Sequence, residues 1–313
     1  MSSVTVFAPS TVSNVACGFD ILGFALDGEG DRITASLRDK PGVSIVDIRG
    51  DDGLLPREIH LNTAGLAVQT LLEGTAENRR GIDLEIEKGT PPASGLGSSA
   101  ASSVAAVLAA SELLGLGLTN EQLLPASLEG ERIASGGVLH GDNVAPCLYG
   151  GFVLVRDLDP PDIVSIPVPD DLYCAILRPH VEIKTSESRV LLGGSLSLST
   201  AVRQWGNVAG LISGLHTGDL DLISRSLEDV VAEPVRGHQV PAFHEIKEAA
   251  LGAGALGCSL SGSGPSIFAI CHGRAPAEAT VEAMKAALDH ASGLASNQIV
   301  SVVGGAGAHL VAD

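Results

Sequence analysis

Apolar and polar positions alternate with a period of two over Asp83-Leu84-Glu85-Ile86-Glu87, the pattern of a half-buried strand. Shorter runs at residues 4–7, 32–37 and 43–48 predict further strands, the first broken at Ala8-Pro9-Ser10-Thr11. The period then changes: Leu61, Ala64, Val68, Leu71 and Leu72 recur at helical spacing. A loop over 89–97 leads into an alanine-rich helix reaching about residue 114. Thr119-Asn120-Glu121-Gln122 has the pattern of a capping box for another helix, whose start Pro125 delays or kinks. A strand is expected at 150–155, and the proline- and acid-rich stretch 157–169 reads as an interdomain connection. Beyond it, strands are predicted at 172–177, 266–271 and 299–303, and helices at 202–215 and 243–251. Ala277, Val281, Met284 and Leu288 mark one face of a late helix. Strands and helices alternate in both halves, which gives an α+β fold of two domains, residues 1–160 and 161–313.

Composition changes this picture in two respects. Apolar residues make up 45% of the 313 but aromatics only 3%, so the core is built mainly from Ala, Val, Leu and Ile. The net charge is −18, and five of the 19 basic residues are Lys. Such a surface repels nucleic acid and anionic membrane, suits a salty cytoplasm, and obliges any anionic ligand to find local positive potential. The five cysteines (Cys17, Cys147, Cys174, Cys258, Cys271) include no CxxC pair and read as buried small hydrophobes. No signal peptide is evident at residues 1–9, and the low-charge stretch 98–118 reads as a buried helix rather than a membrane span. A cytoplasmic enzyme is expected.

The segment with the most chemistry is Pro91-Pro92-Ala93-Ser94-Gly95-Leu96-Gly97-Ser98-Ser99-Ala100-Ala101. Gly95 and Gly97 permit positive-φ turns that aim successive backbone N–H groups into one concavity. The helix that follows adds its unpaired N–H groups and the positive end of its dipole. Ser98 and Ser99 add hydroxyls within reach of phosphate oxygens or Mg²⁺. There is neither a Gly-Lys-Ser/Thr phosphate loop nor a strand–GxGxxG–helix unit of the dinucleotide type. Read in isolation, the segment is equally a glycine-rich strand-to-helix turn with a serine cap.

Three further segments are unusual for structural loops. Residues 8–20 concentrate Ser13, Asn14, Gly18 and Asp20 after the first strand, although alone they are equally an Asx or Ser turn. His140-Gly141-Asp142-Asn143-Val144-Ala145-Pro146 offers little metal logic by itself, and Ser261-Gly262-Ser263-Gly264-Pro265-Ser266 has the shape of a second anion nest. Taken in order, these segments resemble the GHMP kinase superfamily over nearly the whole chain. Residues 92–101 match its central motif and Ser261 to Ser266 its C-terminal one. Ser13-Asn14, Gly18-Phe19-Asp20, the His140 segment, Thr185-Ser186-Glu187-Ser188-Arg189 and Glu233-Pro234-Val235-Arg236-Gly237 are similar to its homoserine kinase branch.

The resemblance implies an N-terminal ATP-binding domain like ribosomal protein S5 domain 2 and a ferredoxin-like C-terminal domain. It implies ATP and Mg²⁺ as cofactors and phosphorylation of the L-homoserine hydroxyl, a step of threonine biosynthesis. Asn14, Asp20, His140, Asn143, Thr185, Arg189, Arg236 and Gly262 would line the amino-acid site, with Asn143, Thr185 and Arg189 nearest the chemistry. Asp20 suits an ammonium, and a guanidinium fork suits a carboxylate; either arginine is otherwise a surface ion pair. Asn62 would lie near the adenine. Glu131, with Ser98 or Ser99, would hold Mg²⁺, with Glu129 as the competing ligand. Asn143 stands where a relative such as mevalonate kinase has an acidic base, and Asp142 is expected on a loop, pointing elsewhere. Catalysis is therefore expected to rest on positioning and charge stabilisation. The resemblance leaves a mevalonate-type kinase and a non-catalytic nucleotide-binding relative as alternatives, and implies a homodimer.

Overall fold

The computed structural model describes residues 3–183 and 185–311, without the side chains of residues 185–187. Its first sheet has seven strands: β1 (Ser3–Ser13), β2 (Leu22–Arg38), β3 (Gly42–Arg49), β4 (Gly81–Glu87), β5 (Phe152–Leu158), β6 (Pro161–Ile166) and β11 (His309–Leu310). The order is β11-β1-β2-β4-β3, with β5 pairing the start of β2 and carrying β6. Only the β3–β4 pair is parallel. Five helices accompany this sheet or line the cleft beside it: α1 (Thr63–Glu73), α2 (Ser98–Leu114), α3 (Asn120–Glu131), α4 (Gly141–Tyr149) and α5 (Thr185–Val190). Helix α2 lies against β1, β2, α1 and α3, and twelve of its seventeen residues are buried. Its small side chains let strands and helices close in on it from all sides, which a bulkier helix would prevent.

The second sheet has the order β10-β7-β9-β8, with β7 (Leu172–Pro179), β8 (Gly257–Leu260), β9 (Ile267–His272) and β10 (Ser296–Val302) all antiparallel. The remaining helices are α6 (Leu198–Thr217), α7 (Leu220–Ser226), α8 (Glu233–Arg236), α9 (Phe243–Gly252) and α10 (Arg274–Ala291). Alternate residues of β7 face opposite ways. Ala175 and Leu177 pack with Phe243, Ile246, Met284 and Leu288 of α9 and α10. Cys174 and Ile176 pack instead with α6, α7 and residues of the first sheet. There Phe24 stacks on Phe152 (centroids 5.8 Å) and meets Phe268 edge-on at 6.5 Å, so the two sheets share one apolar cluster.

Four expectations are corrected. β1 does not break at Pro9; it continues to Ser13 through a register shift between Pro9 and Thr11, the kind of irregularity that accommodates proline. The stretch 157–169 is not a free connection: its strands pair in the β5–β6 hairpin, leaving a short link before β7. The boundary expected at 160/161 thus falls inside that hairpin, and the first sheet also takes back His309–Leu310. The capping box forms as expected, with Gln122 accepting from Thr119 N at 2.9 Å, but α3 runs through Pro125 without interruption. Finally, Asp142 lies in the first turn of α4 rather than on a loop.

Candidate active site

A cleft of about 440 Å³ opens between the sheets, lined by the loop before α2, the ends of β1 and α3, α4, α5, α8 and the 261–266 turn. On one wall, Ala93, Gly95 and Gly97 take φ values of 55°, 77° and 66°, so left-handed residues alternate with their neighbours along the loop. Gly97 caps α2 without a side chain, and its first-turn N–H groups are left to an external acceptor. Gly95 and Gly97 are also required by space. A Cβ on Gly95 would lie 2.7 Å from Gly264 O, and one on Gly97 2.1 Å from Thr11 Oγ1.

The second glycine–serine turn is not an anion nest. Its N–H groups at Ser261, Gly262, Gly264 and Ser266 bond to Ser266 O, Ser13 O, Ser261 O and Ser94 O. Its hydroxyls also face the first loop: Ser261 Oγ donates to Gly95 O (2.6 Å) and Ser266 Oγ to Ser94 O (2.7 Å). The turn braces the phosphate loop from behind. Gly262 presents its carbonyl to the cleft, accepting from Asn14 Nδ2 at 2.9 Å and Arg236 Nη1 at 3.2 Å.

Beyond β1, Asn14, Val15 and Ala16 all have positive φ (66°, 41° and 57°), a costly conformation for side chains with a Cβ. Asn14 helps hold this turn, since its N–H donates to Asp142 Oδ2 (3.2 Å) and its Oδ1 accepts from Asp20 N (3.0 Å). The next residue along α4, Asn143, has its amide fixed at both ends, by Thr11 Oγ1 (2.8 Å) and Ser13 Oγ (3.0 Å). Asp142 is buried and lines the cleft; burial and then the charge of Asp20 push its carboxyl up.

Asp20 receives both Nη atoms of Arg189, at 3.3 and 2.7 Å, and lies 3.3 Å from His140 Nδ1. Arg189 can only donate, so His140 Nε2, 3.0 Å away, accepts from it and leaves Nδ1–H for Asp20. Burial opposes the charge on Asp20, but the hydrogen bonds from His140 and Arg189 prevail and hold its carboxyl below the usual range. Arg236 is buried, and its Nε has no hydrogen-bond partner among the described residues. Both guanidinium groups lie near the Phe19 ring, Arg236 at 5.1 Å and Arg189 at 5.7 Å from its centroid.

At the other end of the cleft Glu131 is buried, its Oε2 without a hydrogen-bond partner among the described residues. Burial pushes its carboxyl up to about 7, against a lowering hydrogen bond from Ser99. The competing Glu129 turns outward onto Arg132, 2.9 Å from its Nε. Ser98 Oγ donates its proton to Thr90 O at 2.8 Å, so the oxygen meets anything in the cleft as an acceptor. Asn62 lines the cleft while capping α1: its Oδ1 accepts from Ala64 N and Gly65 N, and its Nδ2 donates to Pro56 O.

The cleft therefore brings together Asn14, Asp20, Asn62, His140, Asn143, Arg189, Arg236 and Gly262 with Pro92, Ala93, Ser94, Gly95, Gly97, Ser98, Ser99 and Glu131. Leu96, Ala100 and Ala101 lie behind the loop, fully buried. The side chain of Thr185 lies outside the described part. Thr11, Ser13, Phe19 and Asp142 were not assigned roles from sequence. Ser13, Phe19 and Asp142 stand inside the segments quoted for the family likeness, which is the one signal that could have found them.

Residues 62–151 match the GHMP kinases N terminal domain and residues 211–290 the GHMP kinases C terminal model. The homoserine kinase of Chloroherpeton thalassium is 48% identical over 95% of this chain and 96% of its own. That of Chlorobaculum tepidum is 46% identical over 99% of each. The chain belongs to the homoserine kinases of the GHMP kinase family. The crystal structure of homoserine kinase from Cytophaga hutchinsonii superposes with a TM-score of 0.94, at 49% identity and covering 99% of this chain and 98% of that one. A mevalonate kinase from L. major, at 20% identity and TM-score 0.71, shares the fold over 96% of each chain. Among the described residues no helix is long and apolar enough to cross a membrane.

Proposed function

We propose that this GHMP kinase transfers the γ-phosphoryl group of ATP to the side-chain hydroxyl of L-homoserine, giving O-phospho-L-homoserine for threonine synthesis. One observation carries the reading. A carboxylate, Asp20, and two guanidinium groups, Arg189 and Arg236, share a cleft with an uncapped phosphate loop. One anion and two cations complement a zwitterion, whereas mevalonate has a carboxylate but no ammonium. Arg236 Nε, buried and unpartnered, is a donor in need of an anion, and an amino acid's carboxylate supplies one. Arg189 and Asp20 neutralise each other across 2.7 Å, and an entering zwitterion exchanges that pair for its own two charges.

The loop N–H groups and the α2 N-terminus receive the phosphates, with Asn62 toward the adenine. The residues also fit Mg²⁺: Glu131 Oε2 is an orphaned buried oxygen, and the hydroxyls of Ser98 and Ser99 complete a hard, sparse donor set that leaves room for phosphate and water. When bound, Mg²⁺ would neutralise phosphate charge as it develops. Asn143, clamped by Thr11 and Ser13, holds the hydroxyl in line, and Arg189 spreads charge on the transferring group. The hydroxyl proton passes to a phosphate oxygen or solvent. Asp142 serves through its bond to Asn14 N, so Asp142→Asn is expected to retain turnover; loss of kcat with both substrate affinities intact would make Asp142 the base.

A net charge of −18 supports a cytoplasmic enzyme acting on free small molecules rather than nucleic acid or membrane. Sedimentation tests the homodimer that the family likeness implies. The deciding experiment is an ADP-release assay with homoserine, mevalonate and galactose side by side. Turnover of homoserine is expected; turnover of mevalonate with none of homoserine overturns the reading.

A further inference from the structure

Beneath the phosphate loop, where Lys88 and Ser102 reach the cleft lining, lies a buried polar cluster to which the reaction described above gives no role except at Ser98. Asp31 on β2 is fully buried, yet four donors converge on its carboxylate. Oδ1 accepts from Gly89 N (3.1 Å) and Thr90 N (3.0 Å), and Oδ2 accepts from Ser102 Oγ (2.7 Å) and from Lys88 Nζ. Lys88 in turn donates to Ser98 O and Ser102 Oγ, both at 2.8 Å, so its three protons are all engaged. Residues 88–90 are the entry of the loop, and Ser98 and Ser102 lie in the first turns of α2, its exit. A further bond, Ser98 Oγ to Thr90 O at 2.8 Å, closes the same gap.

The backbone is shaped for this contact. A Cβ on Gly89 would lie 2.1 Å from Gly30 O, and one on Gly30 2.2 Å from Ala8 O, so only paired glycines let the entry lie directly on β2 beside Asp31. The charges of Lys88 and Asp31 cancel, which rules them out as a net attraction for phosphate. A buried ion pair is also a poor source of stability compared with apolar packing, because desolvation offsets its Coulomb gain. What the cluster does supply is geometry: it fixes the distance between the two ends of a seven-residue turn whose N–H groups must converge.

We propose that Asp31, with Lys88 and Ser102, is a positioning residue for phosphate binding, tying the entry and exit of the loop at one carboxylate. The proposal rests on the nucleotide reading given above. Its test compares ADP with adenosine, both with Mg²⁺, by calorimetry on Ser102→Ala and on the charge-balanced double variant Asp31→Asn/Lys88→Met, each checked for folding by circular dichroism. Adenosine lacks the phosphates, so a general structural defect weakens both ligands alike, whereas a displaced loop weakens ADP alone. ADP affinity is expected to fall about fivefold in Ser102→Ala and about fiftyfold in the double variant, from one and from several lost hydrogen bonds, with adenosine within twofold of wild type. Ser102→Ala removes only a hydroxyl and carries the test if the double variant does not fold. Unchanged ADP affinity, or parallel losses for ADP and adenosine, overturns the proposal while wild-type ADP binding leaves the nucleotide reading intact. Failure of the wild-type protein to bind ADP overturns both.

Discussion

Glu131 shows how one buried side chain couples folding, pH and ligand binding. Its carboxyl is pushed up to about 7 by burial, so the native state holds its proton more tightly than the unfolded chain does. The stabilisation this gives is fully present below the unfolded value near 4.5 and is lost as pH rises through about 7. The ligand-free protein is therefore expected to melt at a lower temperature at pH 8 than at pH 6. Glu131→Gln should reduce that difference and raise Tm at pH 8, by roughly 1–3 kcal/mol of stability. Asp142, raised in the same sense, keeps part of the slope. Thermal melts of both proteins at the two pH values decide it; identical pH dependence would contradict the account. At the opposite end of the cleft, Arg189→Met should raise KM for homoserine at least tenfold by removing a charge-assisted contact, and lower kcat by removing charge that faces the transferring group, with KM for ATP little changed. Steady-state kinetics with each substrate varied in turn measures the split.

Helices and loops act here through their ends. The α2 N-terminus is usable for phosphate because Gly97 brings no side chain to it, and Thr11 packs where a Cβ would stand. Gly97→Ala forces both a strained φ and a clash with Thr11, which Asn143 holds in place. It is expected to lower kcat/KM for ATP by more than 100-fold, read in the same ADP-release assay, since a loop shift near 1 Å suffices for such a loss. The α1 N-terminus is the reverse case, with its orphan N–H groups answered by Asn62 Oδ1. Asn62→Ala should cost about 1 kcal/mol, whereas Asn62→Asp, which keeps the capping oxygen, should retain most of it; denaturant melts compare the two. Helix α2 and the capping box of α3 were legible because their signals are local. β6 and α4 were not: Pro161 in the one and Gly141 and Pro146 in the other read as breaks, and only pairing with β5 or packing against β1 and β2 overrides them. The all-buried, four-residue β8 carries too short a pattern to register.

On the scale of the whole molecule, charge and packing pull in opposite directions. A net charge of −18 on 313 residues repels itself, while the shared apolar cluster holds the two sheets together. Added KCl should therefore raise Tm between low and molar salt, as screening shortens the reach of that repulsion. A Tm that falls over this range would show that surface attraction outweighs it.

The sequence alone determined the α+β class, the glycine–serine loop before an alanine-rich helix, and the family to which these segments belong, because each is written in neighbouring residues. Tertiary structure decided what those residues do for one another. Asp20 meets Arg189 across 169 positions, and Asn14 meets Gly262 across 248. The 261–266 turn, which looked like a second anion site, proved to be a brace, since the N–H groups of Ser261, Gly262, Gly264 and Ser266 and the hydroxyls of Ser261 and Ser266 find carbonyls of the chain itself. Local spacing shows which groups can donate or accept. Only the closed fold shows which of them are already satisfied, and Glu131 Oε2 and Arg236 Nε are left over for ligands because no described residue bonds to them.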